Sequence, residues 1–199
     1  DSSERLKQSP HLEVLHQRGF EVLLLTDPVD PWAVAGLGEY EGLPFVAASD
    51  ADLKLDSSAT DKAESTVREG ELKALIERMR QRLQDHISEV KLSTRLTDSP
   101  LCLVVPEGAL PPHMERLLRA AQQSLPTAKR ILEINPGHPL ITNLERLLGQ
   151  SEHDARVDAW IDLLYQQALL AEGASVDNPA AFARQVTELL QEVTAQLAA

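Results

Sequence analysis

Residues 129–140 combine a strand, a rigid turn and a helix start, and they restrict the fold more than any other part of the chain. The β-branched and leucine run at 131–134 predicts a short strand. That strand has to end at Asn135, because Pro136 cannot donate to a ladder and keeps the residue before it out of the helical region. Pro139 presets the φ angle of a first helical turn. The spacing of the following leucines then gives a helix one apolar face: Leu140, Leu144, Leu147 and Leu148.

Length and charge limit the possible classes of protein. With 199 residues and 43% hydrophobic content, the chain is long enough for one large domain or two small ones, and its pattern favours two. The formal net charge of −12, without a basic stripe or an aromatic platform, argues against binding to nucleic acid. The chain starts at Asp1 without an initiator methionine, so we expect a fragment of a longer protein.

The single cysteine and the lack of long apolar runs bear on the compartment. Cys102 lies within the apolar run 101–105, so an intrachain disulfide is impossible and a reducing compartment is expected. No apolar run approaches the roughly 20 residues that span a bilayer, so no membrane segment is predicted. The six histidines lack the spacing of a zinc site and have no partner cysteines.

The first part of the chain reads as a small αβα unit. A helix at 11–17 stops at Gly19 and is followed by the apolar run 20–25, which predicts a buried strand. A second helix begins after Asp30-Pro31, and another strand is predicted at 45–47. This β, α, β order favours parallel strands with a covering helix. We therefore expect a first domain over residues 1–55 and a linker or solvated helix over residues 56–70.

The second part, residues 71–199, predicts a mixed sheet-and-helix domain. Apolar residues recur every three or four positions at 72–83 and again at 110–121, which predicts two amphipathic helices. Two strands are predicted between those helices, at 87–93 and 101–105, and the strand at 131–134 follows. The fold class is therefore mixed α/β, or α+β.

Two long helices are predicted at the end of the chain. The first covers about 154–172 and stops at Gly173, and the second begins after Asn178-Pro179, a capping residue followed by proline at N1. Apolar residues of the second helix alternate at intervals of four and three, a seam spacing. Either these helices pack on the preceding domain or they pair with a second copy of the chain.

Several sequence blocks, in one order, resemble the bacterial branch of the heat-shock protein 90 chaperones. The blocks are Gly19–Pro28, Asp30–Trp32, Thr97–Pro100, Arg130–Pro136 and Tyr165–Gly173. The resemblance covers nearly the whole chain. It implies the last αβα part of the middle domain, followed by a C-terminal domain whose helices form a dimeric four-helix bundle.

The resemblance also implies which functions lie in this chain and which lie upstream of it. ATP and Mg²⁺ would bind an N-terminal domain upstream, so no catalytic residue, cofactor or metal ligand is expected in this chain. It would work in the cytoplasm as a homodimer that binds partly folded client proteins, with co-chaperones as further possible partners. The client-binding residues that correspond are Trp32, Leu110, Met114, Leu117 and Leu118. The corresponding dimer residues are Trp160, Ile161, Leu164, Ala168, Phe182, Val186, Leu189, Leu190 and Val193.

Each of these surfaces has an ordinary structural alternative. The apolar face of the 110–121 helix could cover the domain's own core, and Trp32 could be a half-buried core aromatic. Some seam residues have to anchor their helices to their own domain. A different class of protein, a small α/β enzyme or ligand-binding domain with a helical dimerisation tail, would require a concave pocket with convergent polar groups.

Overall fold

A computed structural model describes residues 3–51, 53, 67–110, 115, 128–150 and 155–198, and the fold is mixed α+β. The described helices are α1 (Ser3–Lys7), α2 (Glu13–Gln17), α3 (Asp30–Leu37), α4 (Lys73–Arg82), α5 (Pro139–Gln150), α6 (Ala155–Glu172) and α7 (Pro179–Leu197). A 3₁₀ turn at Pro10–Leu12 precedes α2. The described strands are β1 (Glu39–Tyr40), β2 (Leu43–Pro44), β3 (Ile87–Leu92), β4 (Leu101–Val104) and β5 (Arg130–Ile134).

The strand predicted at 131–134 is the central strand of a three-stranded mixed sheet. The strand order is β3-β5-β4, with β5 parallel to β3 and antiparallel to β4. All five residues of β5 are buried. A strand covered on both faces needs a nearly continuous apolar run, which 131–134 supplies apart from Glu133.

Helices α4, α5 and α6 cover one face of this sheet and form the main core. The predicted face of α4 is confirmed, because Leu75 and Met79 are buried within it and Leu72 and Leu83 are buried at its ends. On α5 the inward residues are Ile141, Leu144 and Leu148, whereas Leu140 remains 40% exposed. The prediction for Leu140 was wrong, since the axial rotation of α5 turns its neighbour Ile141 to the sheet. The opposite face of the sheet carries a smaller apolar cluster of Leu96, Cys102, Val104 and Ile131.

The parallel β, α, β arrangement predicted for the first part is wrong. Residues 20–25 belong to no strand, with Phe20 54% and Leu23 74% exposed. Within this run, Val22 and Leu24 pack against a small apolar cluster. That cluster is formed by Leu12, Val14 and Leu15. In the described part of the chain no strand lies beside 20–25, so this apolar run has no ladder to join.

The second strand of that arrangement lies earlier than predicted and pairs differently. Instead of a strand at 45–47, β2 ends at Pro44 and pairs antiparallel with β1. The reason is the two-residue turn between them, in which Glu41 has φ +52° and Gly42 has φ +80°. Two successive positive φ angles form the tight turn that suits a hairpin.

Candidate functional site

The last helix, α7, carries an apolar stripe along its length. Asn178 caps its first turn, where the side-chain Oδ1 accepts the Ala181 N–H at 3.0 Å. Phe182, Val186 and Leu189 are half-buried, whereas Leu190 and Val193 are 59% and 44% exposed. None of the described side chains of α7 is fully buried. The sequence-predicted seam on this helix is therefore partly open within a single copy of the chain.

On helix α6, by contrast, most of the sequence-predicted seam residues are buried. Ile161, Leu164 and Ala168 are 1%, 5% and 3% exposed and belong to the main core, and Trp160 is half-buried against it. These three buried side chains anchor α6 to its own domain. Of the nine sequence-predicted dimer residues, three on α6 are therefore buried anchors, whereas Trp160 and the five residues on α7 remain half-buried or exposed.

Two arginine pairs hold α6 in place from α4. Arg78 donates to both carboxylate oxygens of Asp158, at 2.7 Å each. One turn later Arg82 donates to both oxygens of Asp162, at 2.9 and 2.5 Å. Bidentate pairs of this kind fix orientation as well as distance. From α6, the Gln166 side chain donates to Gln185 on α7 at 3.2 Å.

The predicted client-binding residues fall in three places. Trp32 lies on α3 and is 57% exposed, and Leu110 lies after β4 and is 39% exposed. Met114, Leu117 and Leu118 lie outside the described residues. Trp32 lies on α3 and the predicted seam residues lie on α6 and α7, so these residues belong to separate elements.

A charged cluster that the sequence analysis missed joins the first part of the chain to the sheet. Arg95 is 2% exposed and donates to both carboxylate oxygens of Glu133, at 3.0 and 3.2 Å. Its remaining donors bind the carbonyls of Ala48 at 2.5 Å and Asp50 at 2.7 Å. The sequence did contain a signal for this cluster. Glu133 is a carboxylate in an otherwise apolar strand, and a buried charge requires a partner.

Glu13 makes a second junction on the same side. Its carboxylate accepts the backbone N–H groups of Thr97 at 2.6 Å, Asp98 at 2.8 Å and Ser99 at 3.1 Å. Partial burial alone would raise the pKa of Glu13, but the hydrogen bonds from Ser99, Asp98 and Thr97 outweigh it and hold the pKa below its usual value. The backbone of Val14 also donates to the Arg95 carbonyl at 3.1 Å.

Two buried groups near this junction, His11 and Cys102, have strongly shifted pKa values. Burial, with a smaller contribution from the Arg95 charge, lowers the pKa of His11 to about 4. Burial, followed by the Glu133 charge, raises the pKa of the Cys102 thiol well above its ordinary range. A thiol that stays protonated in an apolar setting is a poor nucleophile.

An open groove of about 840 Å³ lies between α4 and α5. Leu75 and Leu148 contribute apolar lining, and Arg78 and Glu77 are among its charged residues. Both charges already have partners, since Arg78 binds Asp158 and Glu77 accepts from Gln81 at 2.9 Å.

In 3–51, 53, 67–110, 115, 128–150 and 155–198, no group of three or more His, Cys, Asp or Glu side chains could hold a metal ion. Across the same ranges, no helix has the length and apolarity required to cross a membrane.

Comparison with known proteins matches nearly every residue of the chain. The family model described as "Hsp90 protein" matches residues 1–198. The chain is 49% identical to the chaperone protein HtpG of Myxococcus xanthus over 201 residues, which cover 100% of this chain and 31% of the relative. Identity is 45% with HtpG of Alkalilimnicola ehrlichii, covering 96% and 29% of the two chains. With HtpG of Geobacter sulfurreducens it is 43%, covering 95% and 30%.

These matches show relatedness to proteins that are much longer than this chain. The chain spans about 30% of the length of the curated relatives that it matches. The family model nevertheless covers all but the final residue, and the matched relatives carry one and the same name. The chain belongs to the Hsp90 protein family.

Proposed function

We propose that this chain is the dimerising and client-binding part of an ATP-driven chaperone. The observation that carries the proposal is the open apolar stripe on α7, in a chain whose relatives are named chaperones. An apolar seam is stabilised only when something covers it. Because the stripe has the alternating spacing of a helical seam, a second copy of α7 is the natural cover.

The proposed interface consists of the accessible residues on α7, with α6 as its support. It comprises Phe182, Val186, Leu189, Leu190 and Val193, and Trp160 contributes its exposed edge. Ile161, Leu164 and Ala168 act behind it as anchors, because they are buried in the core. Two copies of α6 and α7 around a two-fold axis would form an isologous four-helix bundle.

The mechanical role follows from permanent pairing. We place the domain boundary between residues 55 and 71. In each copy of the chain, the smaller first domain would then form part of one arm of the dimer. Joining two arms at one end raises the effective concentration of whatever each arm bears at the other end. ATP and Mg²⁺ would act in a domain outside this chain, in the cytoplasm, and this chain itself would have no ATPase site.

Client binding is assigned to exposed apolar residues. Trp32 on α3 and the segment with Leu110, Met114, Leu117 and Leu118 are the proposed contacts. Tryptophan supplies a large apolar surface, and methionine adapts to many partner shapes. Such a surface would hold partly folded proteins through buried area rather than through a defined sequence. Co-chaperones would be further partners. We propose no nucleic-acid or membrane surface.

Light scattering tests the dimer directly. We expect the 199-residue chain to show twice its monomer mass at micromolar concentration, and Leu190→Glu combined with Val193→Glu to show the monomer mass. Gln191→Glu is the matched control, because it adds a negative charge at an exposed neighbouring position. A monomeric unsubstituted chain would overturn the proposed dimer.

A second experiment tests client binding. Fluorescence anisotropy of a dansyl-labelled lactalbumin, kept unfolded by reduction and carboxymethylation, reports binding to the chain. We expect Trp32→Ser to weaken binding several-fold while thermal stability changes little, because the indole is largely exposed. Unchanged affinity would remove Trp32 from the proposed surface.

A further inference from the structure

Arg95 contacts both parts of the chain from one buried position. In the second part, its guanidinium donates to both carboxylate oxygens of Glu133 on the central strand β5. In the first part, Nη1 donates to the Ala48 carbonyl and Nη2 donates to the Asp50 carbonyl. The forked guanidinium can serve all these acceptors at once, which the single ammonium of lysine cannot do with the same geometry. One side chain therefore links the first part of the chain directly to the middle of the sheet.

The backbone around Arg95 is attached to the first part as well. Val14 donates its N–H to the Arg95 carbonyl at 3.1 Å. A little further along the chain, the Glu13 carboxylate accepts the N–H groups of residues 97–99. The connection between β3 and β4 is thus bound to the first part through its side chain and through its backbone.

The segment 48–51 is held by two separate groups of the second part. Val105 donates its N–H to the Ser49 carbonyl at 2.9 Å, and its own carbonyl accepts the Ala51 N–H at 3.0 Å. Arg95 binds the carbonyls of the alternate residues, Ala48 and Asp50. Two separate holders restrict rotation of the segment more than either one does alone.

Holding Ala48 also holds the small core of the first part. The Ala48 side chain packs against the apolar cluster on which Val22 and Leu24 also pack. That cluster is buried and is formed by Leu12, Val14 and Leu15. Because packed side chains move together, a restraint on Ala48 acts on this cluster as a whole.

We propose that Arg95 is a positioning residue for the arm: through the carbonyls of Ala48 and Asp50, it holds the first part of the chain in one orientation on the sheet. The first part would then not swing freely. The consequence for the arms rests on the proposed dimer, in which this orientation would set the direction that each arm takes. Arms restricted to few directions would bring their far ends together more often than freely swinging arms.

Double electron–electron resonance between two spin labels in one copy of the chain measures this orientation. The labels are attached to cysteines introduced at two exposed positions, Gln17→Cys in the first part and Asn143→Cys on α5, in a Cys102→Ala background. Labelled chain is mixed with an excess of unlabelled chain, so that a dimer contains at most one labelled copy. We expect a single narrow distribution of distances in the chain that keeps Arg95.

The deciding variant replaces the whole buried pair, by Arg95→Met together with Glu133→Leu. Apolar replacement of a buried ion pair often leaves stability unchanged or higher. The carbonyls of Ala48 and Asp50 nevertheless lose their charged donor, so we expect the distance distribution to widen at least about twofold. Arg95→Lys keeps a charge beside Glu133 but lacks the fork, and it should also widen the distribution. Arg80→Met, at an exposed position on α4, is the control and should leave the distribution unchanged.

Circular dichroism melting and light scattering on the same samples separate the outcomes. A wide distribution in a double variant that melts like the unsubstituted chain supports the inference, because a purely stabilising pair would leave the orientation of a folded chain unchanged. A narrow distribution in the folded double variant overturns it, and so does a wide one in the chain that keeps Arg95. If the double variant does not fold, Arg95→Lys decides in the same way. A monomer mass would overturn the proposed dimer alone, because both labels lie in one copy and still report the orientation.

Discussion

Arg95 and Glu133 form an ion pair in the interior, with side chains only 2% and 8% exposed. Ser93 donates its hydroxyl to the same carboxylate at 2.8 Å, and Arg95 also binds the carbonyls of Ala48 and Asp50. The pair therefore joins the end of the first part of the chain to the central strand of the sheet. All three nitrogens of the Arg95 guanidinium donate hydrogen bonds across this junction.

Removing one member of this pair should destabilise the protein strongly. We expect Arg95→Met to lower the free energy of unfolding by about 3–5 kcal/mol, because Glu133 would be left as an uncompensated buried charge. Urea denaturation followed by circular dichroism measures the change. Arg80→Met is the matched control, since Arg80 pairs with Glu77 on the surface at 58% and 45% exposure, where solvent screens the charges and the substitution should change stability far less than Arg95→Met. Equal effects of the two substitutions would contradict the buried pair.

His11 should make stability depend on pH between about 6.5 and 4. Its pKa is lowered to about 4 in the folded protein, chiefly by burial, so as the pH falls the unfolded chain takes up the proton first. The free energy of unfolding should therefore decrease with falling pH, by up to about 3 kcal/mol at pH 4. Glu13, whose folded pKa is also lowered, contributes in the same direction at lower pH, as its carboxylate becomes protonated.

Denaturation curves at pH 7.5 and pH 5 isolate the histidine contribution. His11→Leu should flatten the dependence over this interval, because leucine has no proton to bind. His16→Leu, at an exposed position on the same helical segment, should leave the dependence in place. A slope that survives His11→Leu would show that another group is responsible.

The core beneath the sheet should be sensitive to small cavities. Leu103 on β4 is 0% exposed and belongs to the main cluster. We expect Leu103→Ala to lower the free energy of unfolding by about 2–5 kcal/mol, through lost burial and the cavity left behind. Leu197→Ala, where the leucine is 83% exposed, should change it by less than about 0.5 kcal/mol. Urea denaturation of both variants at the same protein concentration measures the difference.

The cap of α7 should contribute locally. Asn178→Ala removes the acceptor for the Ala181 N–H and should destabilise the first turn by about 1 kcal/mol. Amide hydrogen exchange at residues 181–183 should become faster, while exchange in β5 stays unchanged. Asn178→Asp retains a capping oxygen and should preserve the slow exchange. Faster exchange with aspartate as well would point to a cause other than the cap.

The helices of the second part were predictable because their signals are local. The starts at Pro139 and Asn178, the stop at Gly173 and the face of α4 follow from residues a few positions apart. Where the sequence analysis failed, the outcome depended on distant groups. The run 20–25 has the composition of a strand, but a strand also needs a neighbour, and the described chain places none beside it.

The sequence by itself determined the three strands of the sheet, the apolar face of α4, the two long helices at the end of the chain and the family to which the chain belongs. Tertiary structure decided which apolar faces are covered: Ile161 and Leu164 are in the core, whereas Leu190 and Val193 are open. The physical reason is that periodicity records only that a face is apolar, and burial depends on what packs against it. The same reason hid Glu133 and Arg95, whose pairing spans 38 positions of the chain and exists only once the sheet has formed.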